Sequence, residues 1–219
     1  MRPSRHFLHT CRALAAMLAL AIPLAVAHAA APAEVELNPQ DTLVLQRVAA
    51  YLNGIHTMTA RFSQIAGNGQ RSAGTMYISR PGRMRFEYDP PNPITLIADT
   101  FYVYYWDKDL HQVQQVGLKS TPAWFFLRDP INFTADSLVT GFERSDNQIQ
   151  VSVVERASPD TGSLTMVFTE NPLALRQWTV VDQQGKTTTV SLADLQYGVA
   201  LNPNLFQYYD PQARTLKVN

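Results

Sequence analysis

Two hydrophobic periods divide the chain. Leu43, Leu45, Val48, Ala49 and Leu52 recur at helical spacing, whereas from Thr57 onward apolar and polar residues alternate. The first pattern predicts a helix that Asp41 or Thr42 can cap and that Asn53-Gly54 ends. The second predicts strands at Thr57–Ile65, Gly74–Ser79, Arg83–Tyr88, Ile94–Ala98, Phe101–Trp106 and Leu110–Val116. Turn chemistry separates them: Gly67-Asn68-Gly69, Pro81-Gly82, Pro90-Pro91-Asn92-Pro93 and Asp107-Lys108-Asp109.

A second helical patch interrupts the strands. Thr121-Pro122 reads as a cap with proline at the first helical position, leading into Ala123–Leu127, and Asp129-Pro130 stops it. Phe133–Thr140 reads as another short helix. Strands then resume at Gln148–Glu155, Ser163–Thr169, Leu175–Val181 and Thr187–Leu195, with Gly185 marking a tight hairpin. Ten or eleven short strands at regular spacing predict one mainly β domain, a sandwich or a barrel.

Two segments depart from an ordinary barrel. Arg83–Tyr88 is half-buried by pattern, with Met84, Phe86 and Tyr88 facing one way and Arg83, Arg85 and Glu87 the other. Phe101–Asp107 is apolar or aromatic on both faces, which asks for cover on each side. Trp124-Phe125-Phe126-Leu127 is apolar all round, so it belongs in a core or over an apolar opening. Each residue alone reads better as ordinary core. Together they describe a sheet curled around apolar side chains beside a greasy helix, the mouth of a ligand cavity.

The N-terminus has the grammar of export. Arg2, Arg5 and Arg12 precede an apolar run from Ala13 to Val26, and Ala27-His28-Ala29 supplies a cleavage site after Ala29. Residues 1–29 are therefore expected to be removed, leaving residues 30–219 as a single soluble domain that starts with a short polar linker, Ala30–Asn38. The run is too short for a comfortable membrane span. Cys11 precedes it and so is not placed as a lipid-modified cysteine. The mature chain would hold no cysteine, so packing alone must stabilise it. The whole chain balances 18 basic against 18 acidic residues, and losing three arginines leaves 15 against 18, a net of −3. That balance, with no basic stripe, excludes nucleic acid as a partner class.

Catalytic and metal signatures are missing. The glycines at Gly67, Gly69 and Gly74 lack the lysine and spacing of a phosphate cradle, and no serine elbow or zinc-protease motif occurs. Asp107, Asp109 and His111 alternate as metal ligands can, but the same residues make a polar hairpin tip. No enzyme, cofactor or metal is expected.

Several ordered segments resemble a known family. They are Ala60-Arg61-Phe62-Ser63-Gln64, then Gly74-Thr75-Met76-Tyr77-Ile78-Ser79-Arg80-Pro81-Gly82, Arg85-Phe86-Glu87-Tyr88, Pro91, and Leu96-Ile97-Ala98-Asp99. Trp178–Gly185 and Asn204-Leu205-Phe206 continue the order. Over nearly the whole mature length the chain resembles the LolA-like outer-membrane lipoprotein carriers. The resemblance implies an α+β, mainly β fold: a curved antiparallel sheet forming an incomplete barrel closed by a helical lid. It implies a monomeric periplasmic chaperone whose cavity holds lipoprotein acyl chains, receives them from an inner-membrane lipoprotein-releasing transporter and passes them to an outer-membrane acceptor. A periplasmic lipid or lipoprotein sensor, or an acceptor of the same fold, is the alternative. The expected cavity residues are Met76, Ile78, Met84, Phe86, Tyr88, Trp124, Phe125 and Leu127. The family's lid arginine corresponds to Arg80, while Met84 stands where family members can carry an aromatic.

The residues give Arg80 weight of their own. Counting by twos from Met76 and Ile78 puts it on their face, so a cation ends an apolar row. There it needs hydrogen bonds, for which lid carbonyls are suitable acceptors; the simpler course is to turn outward before Pro81.

Overall fold

The computed structural model describes residues 32–209. The expected export signal and cleavage site, and residues 210–219, lie outside that range. Among the described residues eleven strands form one antiparallel sheet: β1 (Thr57–Ala66), β2 (Arg71–Ser79), β3 (Arg83–Tyr88), β4 (Ile94–Asp99), β5 (Tyr102–Asp107), β6 (Gln112–Gly117), β7 (Ser137–Ser145), β8 (Gln148–Glu155), β9 (Gly162–Glu170), β10 (Leu173–Asp182) and β11 (Thr187–Tyr197). Their spatial order is β6-β5-β4-β3-β2-β1-β11-β10-β9-β8-β7, so β6 and β7 remain as free edges and the sheet does not close. No helix among the described residues is long and apolar enough to cross a membrane.

Register places the apolar residues in rows across the concave face. Met58, Ile78, Met84 and Ala98 stand opposite one another on four successive strands, and Ala60, Met76, Phe86 and Leu96 form the next row. The third row needs Gly74. A β-carbon there would lie 2.0 Å from Glu87 O and 2.7 Å from the Phe62 ring. The Phe62 ring fills that space and meets Phe86 and Tyr88 edge-on at 4.8 and 5.1 Å. From the other half of the sheet, Trp178, Met166, Val151, Leu164, Phe168 and Val190 join the same core.

Helix α1 (Pro39–Asn53) lies on this face through Val44, Leu45, Val48 and Leu52. Asn38 caps it, its side chain accepting from Asp41 N at 2.9 Å, in place of the expected Asp41 or Thr42. Leu43, expected in the stripe, is 60% exposed; Val44 takes its place. Helix α2 is the five residues Ala123–Leu127. Thr121 does not cap it: its hydroxyl donates back to Leu118 O. The segment before α1 is less polar in use than expected, since Val35 N donates to Val139 O and Val35 and Leu37 pack on the core.

The chain departs from the expected pattern in two segments. Phe133–Thr140 is not a helix: Asn132 caps the amides of Thr134 and Ala135 in a turn, and β7 begins at Ser137. The Phe101–Trp106 segment is covered on both faces only in its middle. Phe101 is 73% exposed and outside β5, and Tyr102 and Tyr105 are partly open. Val103 packs on the core from the concave side, opposite Ala98, and the convex side takes its cover from a C-terminal strap. Tyr208 stacks on Tyr104 at 5.0 Å, Arg85 donates to Leu205 O at 3.1 Å, and the buried Phe206 lies under the Arg83 guanidinium.

Candidate functional site: a lidded apolar interior

Arg80, one residue beyond β2, stands where the sheet meets both helices. The concave register that buries Met76 and Ile78 carries its side chain inward, where only 3% of it stays exposed. Its Nη1 donates to Leu52 O and, at 3.2 Å, to Ile55 O, both at the C-terminal end of α1. Nε and Nη2 both donate to Arg128 O, the carbonyl that follows α2. Asn53 Oδ1 lies 3.4 Å from Nη2, and the Asp129 carboxylate sits 3.9 Å away. One guanidinium therefore ties both helices to the sheet. Burial pulls its pKa down from the ordinary arginine value, with the Asp129 charge acting the other way.

Other contacts reinforce the joint. Asn53 reads the backbone of Ile131 in both directions, donating to its carbonyl at 3.0 Å and accepting from its amide at 2.8 Å. Gly82 N donates to Leu127 O at 2.8 Å, which holds the last turn of α2 on the loop after Arg80. Gly82 has φ 76°, and a β-carbon there would meet the Thr100 backbone at 2.8 Å, so the close approach requires glycine.

Arg128 was not singled out by sequence reasoning, although it is as buried as Arg80. Its Nη2 donates to Ser137 Oγ at 3.2 Å and to Glu155 at 3.0 Å, and its guanidinium lies 4.9 Å from the Phe125 ring centre. Nε finds no partner. A lone arginine after a short apolar helix carries no signal that its counter-ion is on β8, a long way down the chain.

The expected cavity residues divide. Met76, Ile78, Met84, Phe86, Phe125 and Leu127 are buried in one contiguous core. Tyr88 closes the far end of the row, its hydroxyl donating to Gln64 Oε1 at 2.8 Å, and burial pushes its pKa up to about 12. Trp124 is only half-buried at the core's edge, with the Lys119 ammonium 5.5 Å from its ring centre. The interior is shut rather than roomy. Beneath the helices a void of about 20 Å³ remains, bounded by Leu52, Ile55, Ile78, Arg80, Leu175 and Trp178 among others. That admits about one water molecule, not a hydrocarbon chain. Of the expected set it touches only Ile78 and Arg80. A larger cleft of about 750 Å³ opens at the other end, among Gln64, Arg71, Tyr88, Asp89, Pro91 and Tyr105.

The Asp107–His111 segment is a hairpin tip. Asp107 Oδ1 accepts from the amides of Asp109 and Leu110, both at 3.0 Å, and His111 has φ 52°.

An unclosed β-barrel with two helices buttoned over its apolar concave face defines a class, that of lidded half-barrel binding proteins. Residues 53–209 match the family described as outer membrane lipoprotein carrier protein LolA, and the chain belongs to that family. It is 32% identical over 169 residues to an outer-membrane lipoprotein carrier protein of Legionella pneumophila, covering 74% of this chain and 83% of that one. It is 29% identical over 202 residues to the carrier of the same name from Pseudomonas paraeruginosa, covering 88% and 91%. Among solved structures, a DUF1329 family protein from Desulfovibrio piger shares the fold with a TM-score of 0.50 at 9% identity, over 77% of this chain and 95% of that one.

Proposed function

We propose that this protein is a periplasmic carrier that shelters the acyl chains of lipoproteins between the concave sheet and the lid of α1 and α2. Cargo passes from an inner-membrane lipoprotein-releasing transporter to an outer-membrane acceptor. Acyl chains lose roughly 0.8 kcal/mol for each methylene exposed to water, so three chains of ordinary length need tens of kcal/mol of shelter in transit. The apolar rows from Met58 to Leu96 supply such a surface once the lid lifts.

The observation that carries the reading is the Arg80 joint. A buried cation that spends its donors on the ends of two helices is a costly way to build a static core. It suits a lid that must shut without cargo. Because the empty interior repacks on itself, closure competes with the ligand and lowers its apparent affinity, which favours handover without an energy source in the carrier.

The test is direct. Chain recovered from the periplasm of a host making lipoproteins should carry acylated protein detectable by mass spectrometry. The purified empty chain should bind a long-chain fluorescent fatty acid. Failure of both would end the carrier reading.

A further inference from the structure

The ladder between β10 and β11 runs only from Gln177–Ser191 to Val181–Thr187. Beyond it β11 continues to Tyr197 paired with β1 alone, while β10 starts at Leu173 paired with β9 alone. A register shift between Leu175 and Gln177 adds a bulge at Arg176. The sheet therefore has a seam, and the Leu175 amide beside it has no β11 residue opposite.

Tyr51 of α1 fills that seam. Its hydroxyl accepts from Leu175 N at 2.9 Å and shares a 2.7 Å hydrogen bond with the Tyr197 hydroxyl. One side chain thus joins both lips, with its ring edge-on to Phe168 at 6.1 Å and to Tyr197 at 6.3 Å. Burial and the Tyr51 hydroxyl hold the Tyr197 phenol above its ordinary pKa. The small void under the lid lies between the two attachments: Arg80 and Ile78 wall it on the β2 side, Leu175 and Trp178 on the seam side.

We propose that Tyr51 is a second latch of the lid, a positioning residue that holds α1 to the β10–β11 seam while Arg80 holds it to β2. An acyl chain reaches the interior through the void between them only when both let go. This rests on the carrier reading and deepens it by adding a gate. A core tyrosine valued only for its ring would be replaced by phenylalanine without consequence; a latch would not.

The experiment compares wild type, Tyr51→Phe, Tyr197→Phe and Arg80→Leu as purified chains, by amide hydrogen exchange and by stopped-flow uptake of a fluorescent long-chain fatty acid. Tyr51→Phe loses both the part-buried bond from Leu175 N and the exposed one to Tyr197; the first alone predicts exchange roughly five- to tenfold faster at Leu175 and at the C-terminal turn of α1, with uptake accelerated to match. Tyr197→Phe keeps the Tyr51–Leu175 bond and should show less than half of that effect. Exchange and uptake within twofold of wild type would overturn the latch. So would acceleration spread evenly over all the core strands, which marks general loosening. If neither wild type nor variants take up the probe, the carrier reading fails, while exchange still decides whether Tyr51 holds α1 to the seam.

Discussion

Replacing Arg80 by leucine should make the protein bind acyl chains more tightly. Five donor–acceptor contacts are lost, to Leu52, Ile55, Asn53 and twice to Arg128. Summing charged hydrogen bonds would overstate the loss, because dehydrating the guanidinium already offsets several kcal/mol. The acceptors left behind give a tighter figure. Ile55 O and Arg128 O both lose their guanidinium donors in a water-poor joint, at about 1–3 kcal/mol each. Leucine recovers part of this by removing a buried charge, leaving about 2–4 kcal/mol against the closed state. That moves the closed–open equilibrium by roughly 30- to 1,000-fold. Apparent affinity is the intrinsic affinity scaled by the open fraction, so it rises with the open population until the open state dominates. Equilibrium titration with a fluorescent long-chain fatty acid reads the shift, and off-rates into acceptor vesicles should slow in parallel. A thermal melt confirms that the variant is folded. A cooperatively melting Arg80→Leu protein whose affinity and off-rate stay within twofold of wild type would refute the reasoning.

Other expectations follow from particular contacts. Gly74→Ala forces a β-carbon against Glu87 O and the Phe62 ring, and overpacking of this kind costs about 1–3 kcal/mol or more; a urea midpoint equal to wild type would show that β2 and β3 part easily. Phe206→Ala should lose about 3–5 kcal/mol and free the C-terminal strap to proteases, provided the strap is integral to the fold; an unchanged cleavage pattern would deny that. The Arg144 side chain holds the Glu170 carboxyl below its usual range by hydrogen bonding, so this pair stabilises the fold above the ordinary carboxylate pKa and fades as pH falls through the depressed value. Arg144→Gln should therefore lower stability modestly at neutral pH and move the acid-unfolding midpoint to higher pH; an unmoved acid limb counts against the linkage.

Strand period and turn chemistry made ten of the eleven strands legible, because most of them bury one face and a half-buried pleat writes its period into the sequence, while the exposed β6 was marked by the turn before it. The missing strand, β7, is instructive. Asn132 caps the amides of Thr134 and Ala135 as a helix start would, and the register shift between Val139 and Gly141 breaks the alternation just where a reader looks for it. Local chemistry spoke for a helix; pairing with β8 overruled it. The aromatic run at Tyr102–Trp106 was hard to read for a different reason: the cover on its convex face is a strap from the far C-terminal end of the described chain, without periodicity, and no window on β5 contains it.

The site divides along the same line. Arg80 could be picked out because its address depends on local register: two residues beyond Ile78 on a strand whose inward face is apolar. Its acceptors could not, since they are backbone carbonyls on two helices and carbonyls have no letter in a sequence. The same holds for Tyr51, whose partner is the amide of Leu175, and for Arg128, whose counter-ion Glu155 is an ordinary strand glutamate until the fold brings them together. Residues that form a surface announce themselves by pattern, whereas residues that fasten one element to another do so through long-range backbone contacts. In a protein whose proposed work is to open and shut, the fasteners govern the equilibrium, so the part of the mechanism least visible in the sequence is the part where single substitutions should change behaviour most.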